Sequence, residues 1–113
     1  YIVTFEVEPR IPTHLWVEAK IKELNAINIP TYVIHRGERM DGIILFKISN
    51  CQGQCMLKTR QRNLEGVLEW VDVFQDEIVD ESKADEYIKR SKARDPDLWS
   101  IEGEKSDMEI SLN

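Results

Sequence analysis

The sequence predicts one small α/β domain, on the border of α+β, built on a mixed and mainly antiparallel sheet with two helices. Three observations carry this. Apolar residues recur with period two in several short stretches, and with helical period in two longer ones. Two strand-length runs, Ile43–Ser49 and Val67–Gln75, are apolar on both parities, which requires cover above and below a sheet. The length, 113 residues, suits one domain that buries a core without disulfide or metal staples.

In chain order, Tyr1, Val3, Phe5 and Val7 alternate with more polar neighbours and predict a first strand, ended by Pro9 and Pro12. Thr13 is a suitable N-cap for a helix whose stripe runs Trp16, Val17, Lys20, Ile21 and Leu24, and which Asn28 and Pro30 bring to an end. Thr31–Arg36 is a β-branched and aromatic strand. Gly37 and Gly42 bracket a charged span, Glu38-Arg39-Met40-Asp41, that suits a hairpin-type connection to the strand Ile43–Ser49. Turn chemistry at 50–54 precedes a returning strand over Cys55–Arg62, and Asn63, Glu65 and Gly66 make the next turn. After Val67–Gln75, Asp80 or Ser82 can cap a second helix with a narrow stripe of Ala84, Tyr87, Ile88 and Ser91. Pro96 stops it, and Leu98, Trp99 and Ile101 form a last strand. The order is β-α-β-β-β-β-α-β, with a possible right-handed crossover at the start, an antiparallel meander in the middle, and residues 103–113 as an acidic, flexible tail to a domain of 1–102.

The formal charge of −6 is uneven. Residues 1–71 carry nine Lys/Arg and eight Asp/Glu, whereas 72–113 carry six and thirteen. An acidic chain gains nothing from counterion release on nucleic acid, so non-specific DNA binding is not expected. No apolar run approaches the ~20 residues of a membrane span, and the first residues lack the pattern of a secretory leader, which makes the cytoplasm the expected compartment.

Leu15-Trp16-Val17-Glu18-Ala19 opening a helix, Arg36-Gly37 with Gly42 before an apolar strand, and Asp95-Pro96-Asp97-Leu98-Trp99 with Glu102 beyond resemble the small alphaproteobacterial domain-of-unknown-function family 1491. The resemblance spans Leu15 to Glu102, and Asp-Pro-Asp-Leu-Trp is its most specific part. It implies a small bacterial cytoplasmic protein of mixed α/β fold, and no activity. The Cys51/Cys55 turn is a departure from the pattern.

Candidate sites are few. Cys51 and Cys55 are too few and wrongly spaced for a zinc site, so no metal and no cofactor are expected. Met56, Lys58, Arg60 and Arg62 share one strand parity. The three cations make the best anion-binding group in the chain, against the plainer reading of a charged, protected edge strand. Asp95, Asp97 and Glu102 are clustered carboxylates able to hold a cation or move a proton, with Arg36 a nearby partner. Equally, the two aspartates can organise the turn and supply an acceptor for a buried Trp99 indole. Trp16, Trp70 and Trp99 are expected to be three walls of one core. With no catalytic motif, the leading expectation is a non-enzymatic binding or interaction module, with an unknown protein partner or as a homodimer through its sheet. The alternatives are a small enzyme or ligand-binding protein using Asp95, Asp97 and Arg36, and a phosphate or RNA-end binder through Lys58, Arg60 and Arg62. The enzyme reading requires its three side chains to converge in a concave pocket.

Overall fold

The computed structural model describes residues 11–113. The first predicted strand, with the crossover it would begin, lies outside them. Helix α1 (Thr13–Ala26) leads to strands β1 (Thr31–His35), β2 (Ile44–Ser49), β3 (Gln54–Arg62), β4 (Leu68–Asp72) and the two-residue β5 (Val79–Asp80). Helix α2 (Glu81–Arg94) and strand β6 (Trp99–Glu104) follow. This is an α+β fold of two helices on a mixed, mostly antiparallel sheet. Among the described residues no helix is long and apolar enough to cross a membrane.

The sheet order is β1-β6-β2-β3-β4, with β5 pairing onto β3. β2, β3 and β4 form the expected antiparallel meander. The loop from Gly37 to Gly42, in contrast, does not close a hairpin. The last strand enters between β1 and β2, antiparallel to the first and parallel to the second. So short a span suits a hairpin, but here it must step over an intervening strand.

That insertion decides what is buried. Every residue of β2 is buried, as its two-sided apolar pattern requires. Ile44, Phe46 and Ile48 meet Val17 and Leu24 of α1, while Leu45 belongs with Cys55, Leu57, Val79 and Ala84 on the α2 side. The equally apolar run 67–75 turns out otherwise. Because β6 joins the sheet far from it, β4 is an edge strand among the described residues, with Leu68 43% exposed and Trp70 and Val71 half-buried. The three tryptophans do wall one core: Trp99 is inside it, and Trp16 and Trp70 pack against it.

Two helix starts differ from expectation. Pro12, not Thr13, is the N-cap of α1, and the Thr13 hydroxyl donates instead to the Met40 carbonyl at 3.0 Å. Asp80 is the N-cap of α2 but makes no side-chain cap. The boundary expected at Glu102 falls inside β6, and the chain beyond it returns to the core, where Met108 and Leu112 are buried on the α1 side. An acidic composition had masked two apolar anchors.

Candidate functional site

The Asp95-Pro96-Asp97-Leu98-Trp99 segment is locked from two directions. Asp95 Oδ1 accepts the Asp97 N–H at 3.1 Å, an Asx turn that ends α2. The Asp97 carbonyl accepts the Glu38 N–H at 2.8 Å, and the Trp99 indole donates to the Glu38 carbonyl at 2.7 Å. The buried indole therefore has its acceptor in the main chain of the 37–42 loop, not in a turn carboxylate. Both bracketing glycines are needed for that approach. A Cβ at Gly37 would collide with the Asp97 carbonyl, and one at Gly42 would stand 2.6 Å from the same oxygen and from the Trp99 ring. The Glu38 carboxylate accepts the Met40 and Asp41 N–H groups, which together hold its pKa below the usual value.

Arg36 packs its guanidinium over the Trp99 ring, 5.3 Å from the centroid. Among the described residues, neither Arg36 nor Asp95 nor Asp97 takes part in an ion pair with another of the three. The depression at the β3–β4 turn, lined by Gln61, Arg62, Asn63, Leu64, Glu65 and Glu69, contains none of them. The segments that carry Arg36 and Asp97 meet through main chain, at Gly37 and the Asp97 carbonyl.

Lys58, Arg60 and Arg62 do share one face of β3, but the strand is internal, between β2 and β4. Their surroundings separate them. Lys58 pairs with Asp72 at 3.3 Å and Glu77 at 4.0 Å, and Arg62 donates to the Gly66 carbonyl at 2.6 Å. Arg60 has no carboxylate partner among the described residues. Its guanidinium lies 5.1 Å from the Trp16 ring centroid, and Trp16 in turn packs at 5.4 Å against Trp70, the cross-strand neighbour of Arg60. Partial burial and the charge of Arg62 both work against its ionised form. Leu68, two residues before Trp70 on the same strand face, is exposed beside this cation–aromatic cluster.

On the opposite face is a constellation that sequence reasoning missed. Lys47 is only 4% exposed, yet its ammonium reaches Glu81 and Asp85 of α2 at 2.7 Å each and Glu102 of β6 at 3.2 Å. Burial alone would depress its pKa, but the hydrogen bonds to Asp85 and Glu81 and the charge of Glu102 outweigh that and raise it. Tyr32 extends the network, donating toward Glu102 and Glu104 at 2.8 Å; burial and these carboxylates raise its pKa also. A lysine held fully charged is no nucleophile, so the network fastens α2 to the sheet. The signal was available: a lone Lys within a strand apolar on both faces demands a counter-charge.

Cys51 is exposed and Cys55 is buried, both unpaired, and burial pushes the Cys55 thiol up to about 11. Neither thiol faces a set of ligands: no cluster of metal-ligating residues exists among the described residues.

No curated protein matches the chain. Solved structures do. A crystal structure of a DUF1491 family protein from Caulobacter crescentus CB15 superposes with a TM-score of 0.79 at 25% identity, covering 88% of this chain and 92% of that one. An NMR structure of a DUF1491 family protein from the same organism gives 0.76 at 25% identity, with 88% and 90% covered. The solution structure of protein Atu0922 from A. tumefaciens gives 0.73 at 19% identity, with 89% of each chain covered, a likeness of fold. The family described as "Protein of unknown function (DUF1491)" matches residues 11–113, all of the described chain. The chain belongs to the DUF1491 family.

Proposed function

We propose that this protein is a non-enzymatic interaction module whose working surface is the Trp16–Arg60–Trp70 face, and that its partner presents a carboxylate beside an apolar side chain. One observation carries the reading: Arg60 is partly desolvated, stacked on an indole, and without a counter-charge among the described residues. A charged group in that position is ordinarily paired, and an incoming carboxylate would complete it. Exposed Leu68 supplies the apolar half of such a contact, and an aromatic–arginine centre is the usual composition of an interface hot spot. The phosphate or RNA-end reading has less behind it. Lys58 is already neutralised by Asp72 and Glu77, leaving Arg60 and Arg62 as a short cationic row.

The test is selection of a random displayed peptide library on the purified chain. The expected pool is enriched in Asp or Glu next to aromatic or aliphatic residues, and Arg60→Glu loses it by at least about tenfold in affinity. A pool without that signature, or one that Arg60→Glu retains unchanged, overturns the reading. Salt-sensitive binding of a short homopolymer RNA that is stronger than any peptide would replace it with the nucleic-acid alternative.

A further inference from the structure

The two edges of the sheet are treated differently. At β1, the Glu104 N–H donates to the Pro30 carbonyl, so by antiparallel alternation Tyr32 bonds inward and Thr31 and Val33 turn their main-chain groups out. The Thr31 edge is already occupied. Asn25 Oδ1 accepts its N–H at 3.0 Å, and Asn25 Nδ2 donates to its carbonyl at 3.1 Å. A side-chain amide thus imitates a neighbouring strand and blocks pairing there, with Pro30 before it and a bulge after Val33.

Among the described residues the β4 edge has no such guard. The Asn63 N–H bonds the Val67 carbonyl and the Val73 N–H bonds the Leu57 carbonyl, both at 2.9 Å, which fixes the odd-numbered residues as those facing β3. Leu68, Trp70 and Asp72 therefore turn their N–H and C=O groups away from the sheet, and none of these groups has a main-chain partner among the described residues. Val67 and Leu68, at the start of this edge, are 56% and 43% exposed.

We infer that β4 pairs antiparallel with β4 of a second copy, about a two-fold axis at Trp70, to make one continuous sheet across the dimer. The inference rests on the reading of the Trp16–Trp70 face as an interaction surface and names its first occupant. The edge is self-complementary in this register. Trp70 meets the partner's Trp70, and Leu68 meets the partner's Asp72, each pair exchanging both main-chain hydrogen bonds because all these groups point outward. Val67 meets the partner's Val73, so an exposed valine is covered by another. Glu69 meets the partner's Val71, and no like charges stand opposite each other. The partner's Asp72 lies one strand beyond Leu68 from Arg62, a span of about 10 Å that an arginine and an aspartate bridge from both sides. The register shifted by one residue would set outward groups against inward ones and fail to bond.

Sedimentation equilibrium on the purified chain provides the test, with the dimer expected at twice the 13.2 kDa mass. Leu68→Pro removes an N–H that points outward and leaves the β3–β4 ladder intact. It is expected to keep the monomer fold, read by circular dichroism, and to weaken association by at least about tenfold. Val67→Lys, at an exposed position, gives the same direction should the proline variant not fold. A wild-type chain that stays monomeric at every concentration, or a dimer whose constant neither variant moves, overturns the inference. A monomer that still selects Arg60-dependent peptides would remove this inference and leave the proposed function standing. A dimer with no peptide selection would do the reverse.

Discussion

Lys47 is the residue whose role is largest relative to its sequence signal. A buried ammonium among three carboxylates is strongly favoured only while all partners remain, and Glu102 is the partner least able to turn to water. Lys47→Ala is expected to cost about 3 kcal/mol in urea unfolding, and Lys47→Met less, since methionine refills the volume. The pH dependence has a definite sign. With its folded pKa raised, Lys47 contributes fully below the ordinary lysine value of 10.5 and loses that contribution as pH rises above it. The stability gap between wild type and Lys47→Met should stay level from neutral pH to that point, then shrink. A gap that widened with alkalinity would mean the ammonium is not held by these carboxylates.

Among the elements, the loop over Gly37–Gly42 and the segment Asp95–Trp99 form one device in two pieces. The loop supplies the Glu38 carbonyl to the Trp99 indole, and Ile43 just after it accepts the Trp99 main-chain N–H, while the segment supplies the Asp97 carbonyl to the Glu38 N–H. Neither half has this conformation for its own sake. Trp99, 1% exposed, is the pin. Trp99→Ala is expected to cost about 3–5 kcal/mol, measured by thermal or denaturant unfolding. A loss below about 1 kcal/mol would show the pin to be dispensable. The family-like motif is thus explained by closure of the fold, which is why it identifies kinship without identifying chemistry.

For the whole molecule, the layers were legible and the strand order was not. Period-two and helical stripes placed both helices and the strands near their observed bounds, because each pattern reports a local burial that the final fold respects. The two-sided pattern of Val67–Gln75 misled for the opposite reason. Its second apolar face is covered at Val73, which packs on the α2-side cluster, and left open at Val67, and a strand order set by the late entry of β6 is invisible to local periodicity. The candidate surface was legible in part. Shared parity on β3 grouped Arg60 with Lys58 and Arg62, but only three-dimensional packing could show that Lys58 is paired while Arg60, stacked on Trp16, has no counter-charge among the described residues. The C-terminal residues were hidden by their composition, since Met108 and Leu112 are apolar points in an acidic stretch. Ending the chain after Glu104 is expected to cost about 3 kcal/mol or more, because two core side chains leave together. Unfolding curves that superimpose with those of the intact chain would show that the segment adds nothing.

The placement of β6 also sets a schedule for synthesis. While the ribosome is still delivering the second helix, β1 and β2 have emerged, yet the strand that belongs between them has not. Each waits with an open inner edge, and the loop joining them lacks the segment that pins it. The sheet cannot be finished progressively from its first residues; it is completed in one late step, when residues 99–104 leave the exit tunnel and slot between strands made long before. A nascent chain stalled short of Trp99 should therefore remain open to protease throughout, and one released past Glu104 should become resistant at once.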